Sequence, residues 1–237
     1  MATVDLNSDV GEGYGAWPGG PDEALLGIVT SANVACGFHA GDPALIRSTC
    51  ATAVRGGVAI GAQVSYPDLA GFGRRFLDMS PPDLRDAVVY QVGALRALAA
   101  VEGGSVTYVK PHGALYNAVV HHEQQADAVA LAVAELGGLT LLGLPGSAVE
   151  SACTRRGVRF VAEGFADRSY RPDGTLVPRS EPGALVTEPA TAAEQALRLV
   201  AGGCRSLCVH SDTPGAVAIV VAVRDALRTA GHELAAF

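Results

Sequence analysis

The chain has 237 residues, of which 49% are hydrophobic and 17% are charged, and its formal net charge is −7 at pH 7. This length fits one large α/β domain, and the apolar fraction is sufficient for a substantial core. The acidic balance, with no basic run longer than two residues, excludes nucleic acid and anionic membranes as expected partners. The predicted partners are small molecules or proteins, and homo-oligomerisation stays open.

The first residues, MATVDLNSD, contain neither a basic segment nor a long apolar run, so no secretory signal is predicted. The five cysteines form no CxxC pair, and an odd number suits reduced thiols better than a disulfide framework. We therefore expect a cytoplasmic protein.

Seven short segments rich in β-forming residues alternate along the chain with longer helical patterns. Such alternation predicts right-handed βαβ units and a parallel sheet, either doubly wound or closed into a barrel. We favour an α/β fold of the irregular (β/α) barrel type, with about seven parallel strands in a single domain over residues 1–237. The predicted strands cover residues 3–9, 32–37, 58–65, 106–112, 139–145, 158–165 and 206–212.

Helix starts are marked by proline at the first helical position, where no amide hydrogen is needed. Pro43, Pro81 and Pro214 each follow a residue whose side-chain oxygen can cap a helix. Segments 147–150 (SAVE) and 191–194 (TAAE) match the capping box, in which a hydroxyl and a glutamate satisfy each other's backbone amides. These signals predict five helix starts between the strands.

Polar residues concentrate at the carboxyl ends of the predicted strands. In parallel α/β folds the loops at this edge build the ligand site. A helix cap or a loop hydrogen bond is the simpler explanation for any one residue, but it does not account for five strands at once. The sequence therefore predicts an active site formed by some of Asp5, Asn7, Asp9, Asn33, His39, Gln63, Lys110, His112, Asp167, His210 and Asp212.

Lys110 is the only lysine, whereas every other basic position holds arginine. The guanidinium group of arginine is planar and stays charged, whereas the ammonium group of lysine is compact and its pKa shifts readily on burial. Pro111 restricts the backbone of Lys110 and so helps to aim its side chain. We predict a specific chemical role for Lys110.

Nucleotide-binding motifs are missing. The GEGYG segment at 11–15 lacks the glycine spacing of a dinucleotide loop, and no GxxxxGK[ST] phosphate loop occurs. If ATP enters the chemistry, this chain has no recognisable phosphate loop with which to hold it.

Three chemistries are compatible with the polar residues. Carboxylates and histidines such as Asp9, His39 and His112, with His210 or Asp212, could bind a divalent ion. Cys36 and His39 could form a thiol–imidazole pair, although a small buried thiol is the simpler interpretation of Cys36. We favour a scheme without metal, in which Lys110 stabilises an oxyanion and Asp9 or a histidine moves protons.

Six sequence blocks, running in order from residue 5 to residue 216, resemble the LamB/YcsF family. They are DLNSDVGEGYG, NVACGFHAGDP, GAQVSYPDLAGFGRR, YVKPHGALYN, FADRSYRPDGTLVPRS and VHSDTPGA. The resemblance implies a barrel like those of glycoside hydrolases and polysaccharide deacetylases. It also implies hydrolytic opening of 5-oxo-L-proline to L-glutamate, coupled to ATP hydrolysis, with separate subunits B and C as partners and ATP used with them to phosphorylate the substrate.

Residue roles follow from this resemblance as hypotheses. Asp9, Lys110 and His112 are the expected catalytic residues, and a divalent metal, if present, is expected on Asp9, His39 and His112. Segment 166–174 is expected to close over the substrate. The expected substrate-binding residues are Asn7, Asn33, His39, Gln63, Asp167, Arg168 and His210.

Two alternative functions remain at this stage. One is a metal-dependent amidase or carbohydrate deacetylase that acts without ATP, since barrels of this class host many reactions. The other is a non-catalytic subunit that only binds the ligand. Stimulation of ATP hydrolysis by the substrate would separate the first alternative from a 5-oxoprolinase.

Overall fold

The computed structural model describes residues 3–237, and its core is a ring of seven parallel strands. Each strand pairs with its neighbours in the order β2-β3-β4-β5-β6-β7-β1, and pairing of β1 with β2 closes the ring. The strands are β1 Thr3–Val10, β2 Ser31–Ala35, β3 Ala59–Val64, β4 Val106–Pro111, β5 Thr140–Gly143, β6 Arg159–Phe165 and β7 Ser206–Cys208. The predicted α/β barrel of about seven parallel strands is confirmed.

An eighth strand, β8 (Glu233–Leu234), lies outside the ring and pairs only with the start of β1. Its two residues lie near the end of the chain, and such a short segment gives no alternating pattern that sequence analysis could detect. The prediction for the seventh strand was too long, because β7 ends at Cys208 and residues 209–212 form a loop.

Eight α-helices connect the strands in the described part of the chain. They are α1 Asp22–Leu26, α2 Pro43–Gly56, α3 Pro81–Val101, α4 Gly113–His121, α5 Glu123–Leu136, α6 Ala148–Arg156, α7 Pro189–Ala201 and α8 Ala216–Thr229. Among residues 3–237, no helix combines the length and apolar character needed to cross a membrane.

Three of the five predicted helix starts are confirmed. Asp42 and Ser80 cap α2 and α3 ahead of their prolines, and the Ser147 hydroxyl accepts from the Glu150 amide at the start of α6. The other two predictions were wrong. Helix α7 begins at Pro189, which leaves segment 191–194 inside it, and α8 begins after Gly215, whose φ of 78° is left-handed.

Alternate residues of each strand face the inside of the barrel. In this protein many of these inward-facing residues are polar. Asn33 donates to Asn7 (2.7 Å) and to Asp9 (2.8 Å), and Tyr108 donates to Asn33 (2.7 Å). The Tyr108 ring lies against Gly61, where a Cβ atom would come within 2.0 Å of it. The residues on the opposite faces, such as Val4, Leu6 and Val34, pack against the helices as the apolar core.

Candidate active site

A pocket of about 990 Å³ opens at the carboxyl ends of the strands. The loops after β1, β3, β4, β6 and β7 contribute to its wall, as the strand-end pattern predicts. Six of the predicted site residues line it: Asp9, Lys110, His112, Arg168, His210 and Asp212. The other predicted residues are buried behind this wall: Asp5, Asn7, Asn33, His39, Gln63 and Asp167.

Lys110 lies at the base of the pocket with its side chain only 2% exposed. Its ammonium nitrogen is 2.8 Å from Glu163 Oε1, 3.0 Å from Cys208 Sγ and 3.4 Å from Asp9 Oδ1. It also donates to Asn7 Oδ1 at 3.2 Å. We call these five residues the lysine cluster.

The electrostatics of the lysine cluster keep the ammonium charged. Burial alone would lower the pKa of Lys110, but Asp9, Cys208 and Glu163 outweigh it and raise the pKa well above its usual value. Burial also opposes ionisation of Asp9. The charge of Lys110 is the largest of the effects that outweigh burial and keep the pKa of Asp9 below its usual range. Burial raises the pKa of Glu163. Asp9 and Lys110 therefore form an ion pair at neutral pH.

Two histidines form a second group beside the lysine cluster. The rings of His39 and His112 stack with centroids 4.0 Å apart, and Gln63 lies between their nitrogens. Glu12 completes the group, with Oε1 3.3 Å from His112 Nδ1 and 3.7 Å from His39 Nε2. Burial is the main cause that lowers the pKa of His112 well below its usual value, and the nearby His39 lowers it further. His112 is therefore neutral at pH 7.

These contacts divide the predicted metal ligands between two sets. One set with suitable ligand atoms comprises Glu12, His39 and His112, and the other comprises Asp9, Cys208 and His210. Asp9 Oδ2 is 3.9 Å from His112 Nδ1, at the border of the two sets. Glu12 therefore takes the place beside the histidines that the sequence analysis assigned to Asp9.

Buried Asp167 and partly exposed His210 form a pair at the side of the pocket. His210 Nδ1 is 3.0 Å from Asp167 Oδ2, and the same carboxylate accepts from the His210 amide and the Thr213 hydroxyl. Burial opposes ionisation of Asp167, but His210 leads the contacts that lower its pKa. Asp167 thus holds the His210 ring in place at the pocket wall.

Arg168 and Arg179 secure the segment that follows β6. Arg168 donates to the carbonyl of Val177 (2.6 Å) and to that of Ala184 (3.3 Å). Arg179 and Arg74 both bind Asp212, which joins this segment to the loops after β3 and β7. These arginines form the outer wall of the pocket.

Four further residues belong to the site but were not predicted from the sequence: Glu12, Glu163, Cys208 and Tyr116. Glu163 and Cys208 lie within strands, at inward-facing positions that look like ordinary strand residues in the sequence. Tyr116 lies in the first turns of α4 and lines the pocket, and its buried hydroxyl has no hydrogen-bond partner among the described residues. Glu12 lies in the GEGYG segment, a glycine-rich loop in which a single acid gives no distinct sequence signal.

The thiol–imidazole alternative loses support from the structure. Burial raises the pKa of the Cys36 thiol well above its usual value, and the thiol donates to the Val34 carbonyl. The thiolate needed for a nucleophile is therefore disfavoured.

The fold is an α/β barrel that resembles the barrels of carbohydrate deacetylases. The catalytic domain of a peptidoglycan N-acetylglucosamine deacetylase from Eubacterium rectale superposes with a TM-score of 0.57, covering 99% of this chain and 88% of that one. The two are only 12% identical, so this similarity concerns the fold alone.

The chain belongs to the LamB/YcsF family, whose model matches residues 4–237. It is 56% identical to the 5-oxoprolinase A subunit of Mycobacterium avium, over the full length of both chains. The crystal structure of the lactam utilization protein from Thermus thermophilus superposes with a TM-score of 0.93 at 43% identity, covering 99% of this chain and all of that one.

Proposed function

We propose that this chain is the component of an ATP-dependent 5-oxoprolinase that binds 5-oxo-L-proline and opens its ring to give L-glutamate. The names of the similar proteins support the substrate, since one is a component of 5-oxoprolinase and the other is a lactam utilization protein. The observation that carries the proposal is Lys110, a buried cation at the base of a pocket that is ample for a lactam.

In this proposal water adds to the carbonyl carbon of the phosphorylated lactam, the ring C–N bond breaks as the nitrogen takes a proton, and hydrolysis of the resulting acyl phosphate gives L-glutamate and phosphate. Lys110 offsets the negative charge of the phosphorylated lactam during the attack by water. Neutral His112, which lines the same pocket, accepts the proton of that water. Asp9 pairs with Lys110 and keeps it charged, so Asp9 acts by positioning the cation and not as the base.

Arg168 and His210 line the pocket and are the proposed contacts for the substrate carboxylate and ring. Asn7, Asn33, His39, Gln63 and Asp167 are buried behind them, and their proposed contribution to substrate binding is indirect, through the residues that they hold.

ATP is proposed to act through partner subunits B and C. A lactam is a poor electrophile, and phosphorylation of its oxygen makes the carbonyl carbon easier to attack. This sequence has no phosphate loop with which to hold ATP itself. The name of the Mycobacterium avium relative, which designates one component of an enzyme, supports a complex of several chains.

The test is glutamate formation from 5-oxo-L-proline, measured with this chain alone, the partner subunits alone and the mixture, each with and without ATP. We expect turnover only in the mixture with ATP, matched by ADP release. A mixture containing the Lys110→Met chain is the control, and we expect its turnover to be about 100-fold to 1,000-fold lower. Glutamate formation by the chain alone without ATP would contradict the proposal.

A second candidate function is a metal-dependent amidase or carbohydrate deacetylase without ATP. The grouping of Glu12, His39 and His112 favours it. It predicts that the chain alone releases acetate from N-acetylglucosamine oligomers and that chelators abolish this release. If turnover in the mixture were unaffected by Lys110→Met, the third candidate, a subunit that only binds the ligand, would be favoured instead.

A further inference from the structure

We propose that Arg74 and Arg179, on the outer wall of the pocket, form a binding site for the phosphoryl group of the activated substrate. In this structure the carboxylate of Asp212 occupies the site. The identity of the ligand rests on the proposed function, in which the lactam is phosphorylated before water attacks it. The presence of an anion site rests only on the arrangement of the side chains.

The pocket is larger than the lactam requires. Its volume of about 990 Å³ lies at the upper end of the usual range for drug-sized ligands, about 300–1,000 Å³. 5-Oxo-L-proline is a single five-membered ring with one carboxylate, and its carbonyl is proposed to lie near Lys110 at the base. The outer part, lined by Arg74, Arg171 and Arg179, therefore has space for a further group on the lactam oxygen.

Asp212 marks where an anion binds between the two arginines. The terminal nitrogens of Arg179 donate to its two carboxylate oxygens at 3.2 Å and 3.3 Å, and Arg74 donates to the same carboxylate. Guanidinium groups bind carboxylate and phosphate in the same two-pronged manner. Because the Asp212 side chain is 34% exposed, it can turn into solvent when a phosphoryl group takes its position.

The outer wall carries more positive than negative charge. Arg168 is only 6% exposed, and among residues 3–237 no carboxylate forms a salt bridge with it, since its hydrogen bonds go to two backbone carbonyls. Burial lowers the pKa of Arg168, and the charges of Arg179 and Arg74 lower it further, so the three cations lie close to one another. Asp212 balances one of them. The substrate carboxylate and a phosphoryl group would balance the rest.

The other charged residues of this wall are already paired or turned away. The Asp173 carboxylate accepts from the amide and the hydroxyl of Thr175, at 2.9 Å and 2.7 Å, and so is directed into its own turn. Arg171 lies 2.7 Å from Glu181 and has its own counter-ion. The excess positive charge is therefore concentrated at the arginines around Asp212.

The site lies beside the residue proposed to accept the proton of water. The Arg74 guanidinium is 4.9 Å from the centroid of the Phe72 ring, and that centroid is 5.2 Å from the centroid of His112. Burial and His39 lower the pKa of His112, and the charge of Arg74 contributes to the same shift. A phosphoryl group held by Arg74 and Arg179 would thus stay on the lactam oxygen while His112 acts on the water.

The phosphoryl group accompanies the reacting carbonyl through the whole proposed sequence. It remains on the same oxygen from the phosphorylated lactam to the acyl phosphate and leaves as phosphate in the last hydrolysis. A site that holds it keeps the carbonyl carbon in position for both attacks by water. Inorganic phosphate carries the same group and is therefore the probe for this site.

The experiment is a calorimetric titration of the isolated chain with inorganic phosphate, in which we expect one phosphate per chain. Arg179→Met should weaken binding about 10-fold to 100-fold, the usual effect of losing hydrogen bonds to a charged group. Asp212→Asn should strengthen binding about 2-fold to 5-fold, because it removes a competing carboxylate whose partly exposed ion pairs are weak. Arg171→Met is the matched control, since it removes the same charge from the same wall, and it should bind phosphate like the wild type.

A second measurement follows the segment after β6. If phosphate takes the position of Asp212, it should slow the cleavage of residues 171–183 by subtilisin in the Asp212→Asn variant. It should not slow cleavage in the double variant Arg179→Met/Asp212→Asn. Circular dichroism shows whether each variant is folded.

Titrations with 5-oxo-L-proline and with MgATP distinguish the sources of the anion. We expect saturating 5-oxo-L-proline to leave phosphate binding in place, because its carboxylate is proposed to bind at Arg168, and MgATP to bind no more tightly than phosphate. The inference is overturned if neither the wild type nor Asp212→Asn binds phosphate, or if folded Arg179→Met binds it normally.

Competition between 5-oxo-L-proline and phosphate would also overturn the inference, because the site would then belong to the substrate carboxylate. Tighter binding of MgATP would overturn it in favour of a nucleotide site. None of these measurements uses turnover, so failure of the proposed function in the glutamate assay would be a separate result.

Discussion

The ammonium of Lys110 lies 2.8 Å from the carboxylate of Glu163, an ion pair that joins β4 to β6. These strands do not pair with each other, since β5 lies between them. Both side chains are withdrawn from solvent, at 2% and 0% exposure. Each charged group is therefore stabilised by the other, because water does not solvate either group.

Replacing Lys110 with methionine should damage both activity and stability. Methionine matches the length of the lysine stem but leaves Asp9 and Glu163 without their cation. Breaking one partner of a buried pair typically costs about 3–5 kcal/mol. Urea denaturation of the isolated chain should show a loss of this order, and turnover in the complex should fall about 100-fold to 1,000-fold, as for other lost charge-stabilising contacts.

The double variant Lys110→Met/Glu163→Gln separates these two effects. Neutralising Glu163 removes one of the unpaired charges, so we expect part of the lost stability to return while turnover stays low. If turnover recovered together with stability, Lys110 would have only a structural role.

The stability of the protein should fall as the pH is lowered through the range in which free histidine titrates. Burial keeps the pKa of His112 well below its usual value. The unfolded chain, with a histidine pKa of about 6.5, therefore binds a proton that the folded chain does not. The stabilising contribution of His112 is present above about pH 6.5 and is lost as the pH falls below it.

The measurement is the free energy of unfolding from pH 7.5 to pH 5.5. His112→Asn should give a shallower dependence on pH than the wild type. His121→Asn is the control, because His121 is exposed on the last turn of α4, and its curve should follow that of the wild type. Equal slopes in all three proteins would refute this assignment to His112.

The small size of Gly61 is necessary for the barrel interior. A Cβ atom here would lie 2.0 Å from the Tyr108 ring. This ring is fully buried, and the Tyr108 hydroxyl donates a hydrogen bond to Asn33. Gly61→Ala should therefore destabilise the protein by about 3 kcal/mol, the upper end of the usual cost of overpacking. The matched control is Gly93→Ala in α3, where the added methyl meets no atom within 4 Å.

Gly93→Ala should stabilise the protein by up to about 1 kcal/mol through helix propensity. Thermal unfolding of the two variants beside the wild type measures both effects. Shifts of the same sign would show that packing against Tyr108 does not control the response at position 61.

Asp212 should control the mobility of the segment after β6. It binds both Arg74 and Arg179, so Asp212→Asn weakens two contacts at once. The pairs are partly exposed, and the loss of global stability should stay below about 1 kcal/mol. Cleavage by subtilisin within residues 171–183, followed by mass spectrometry, should nevertheless become faster.

Glu181→Gln serves as the control for this experiment. It removes the partner of Arg171, an exposed pair within the same segment that makes no link to other loops. Its cleavage rate should stay near that of the wild type. Equal acceleration in both variants would mean that the link through Asp212 does not restrain the segment.

Local sequence patterns were sufficient to predict the barrel and the edge that carries the pocket. The seven strands and the caps at Asp42, Ser80 and Ser147 were all visible in the sequence. Each signal arises from neighbours in the chain, such as a hydroxyl that satisfies an amide three residues later. Two helix starts were misplaced because similar short patterns also occur inside helices and loops.

The membership of the two side-chain groups was decided only by the tertiary structure. Alternation along β6 and β7 places Glu163 and Cys208 inside the barrel, but which side chains meet there depends on the stagger of strands around the closed ring. That stagger brings Lys110 to Asp9 and Glu163, and it leaves Glu12 beside the histidines. Contacts between residues far apart in the chain have no local signature, so sequence alone could not assign them.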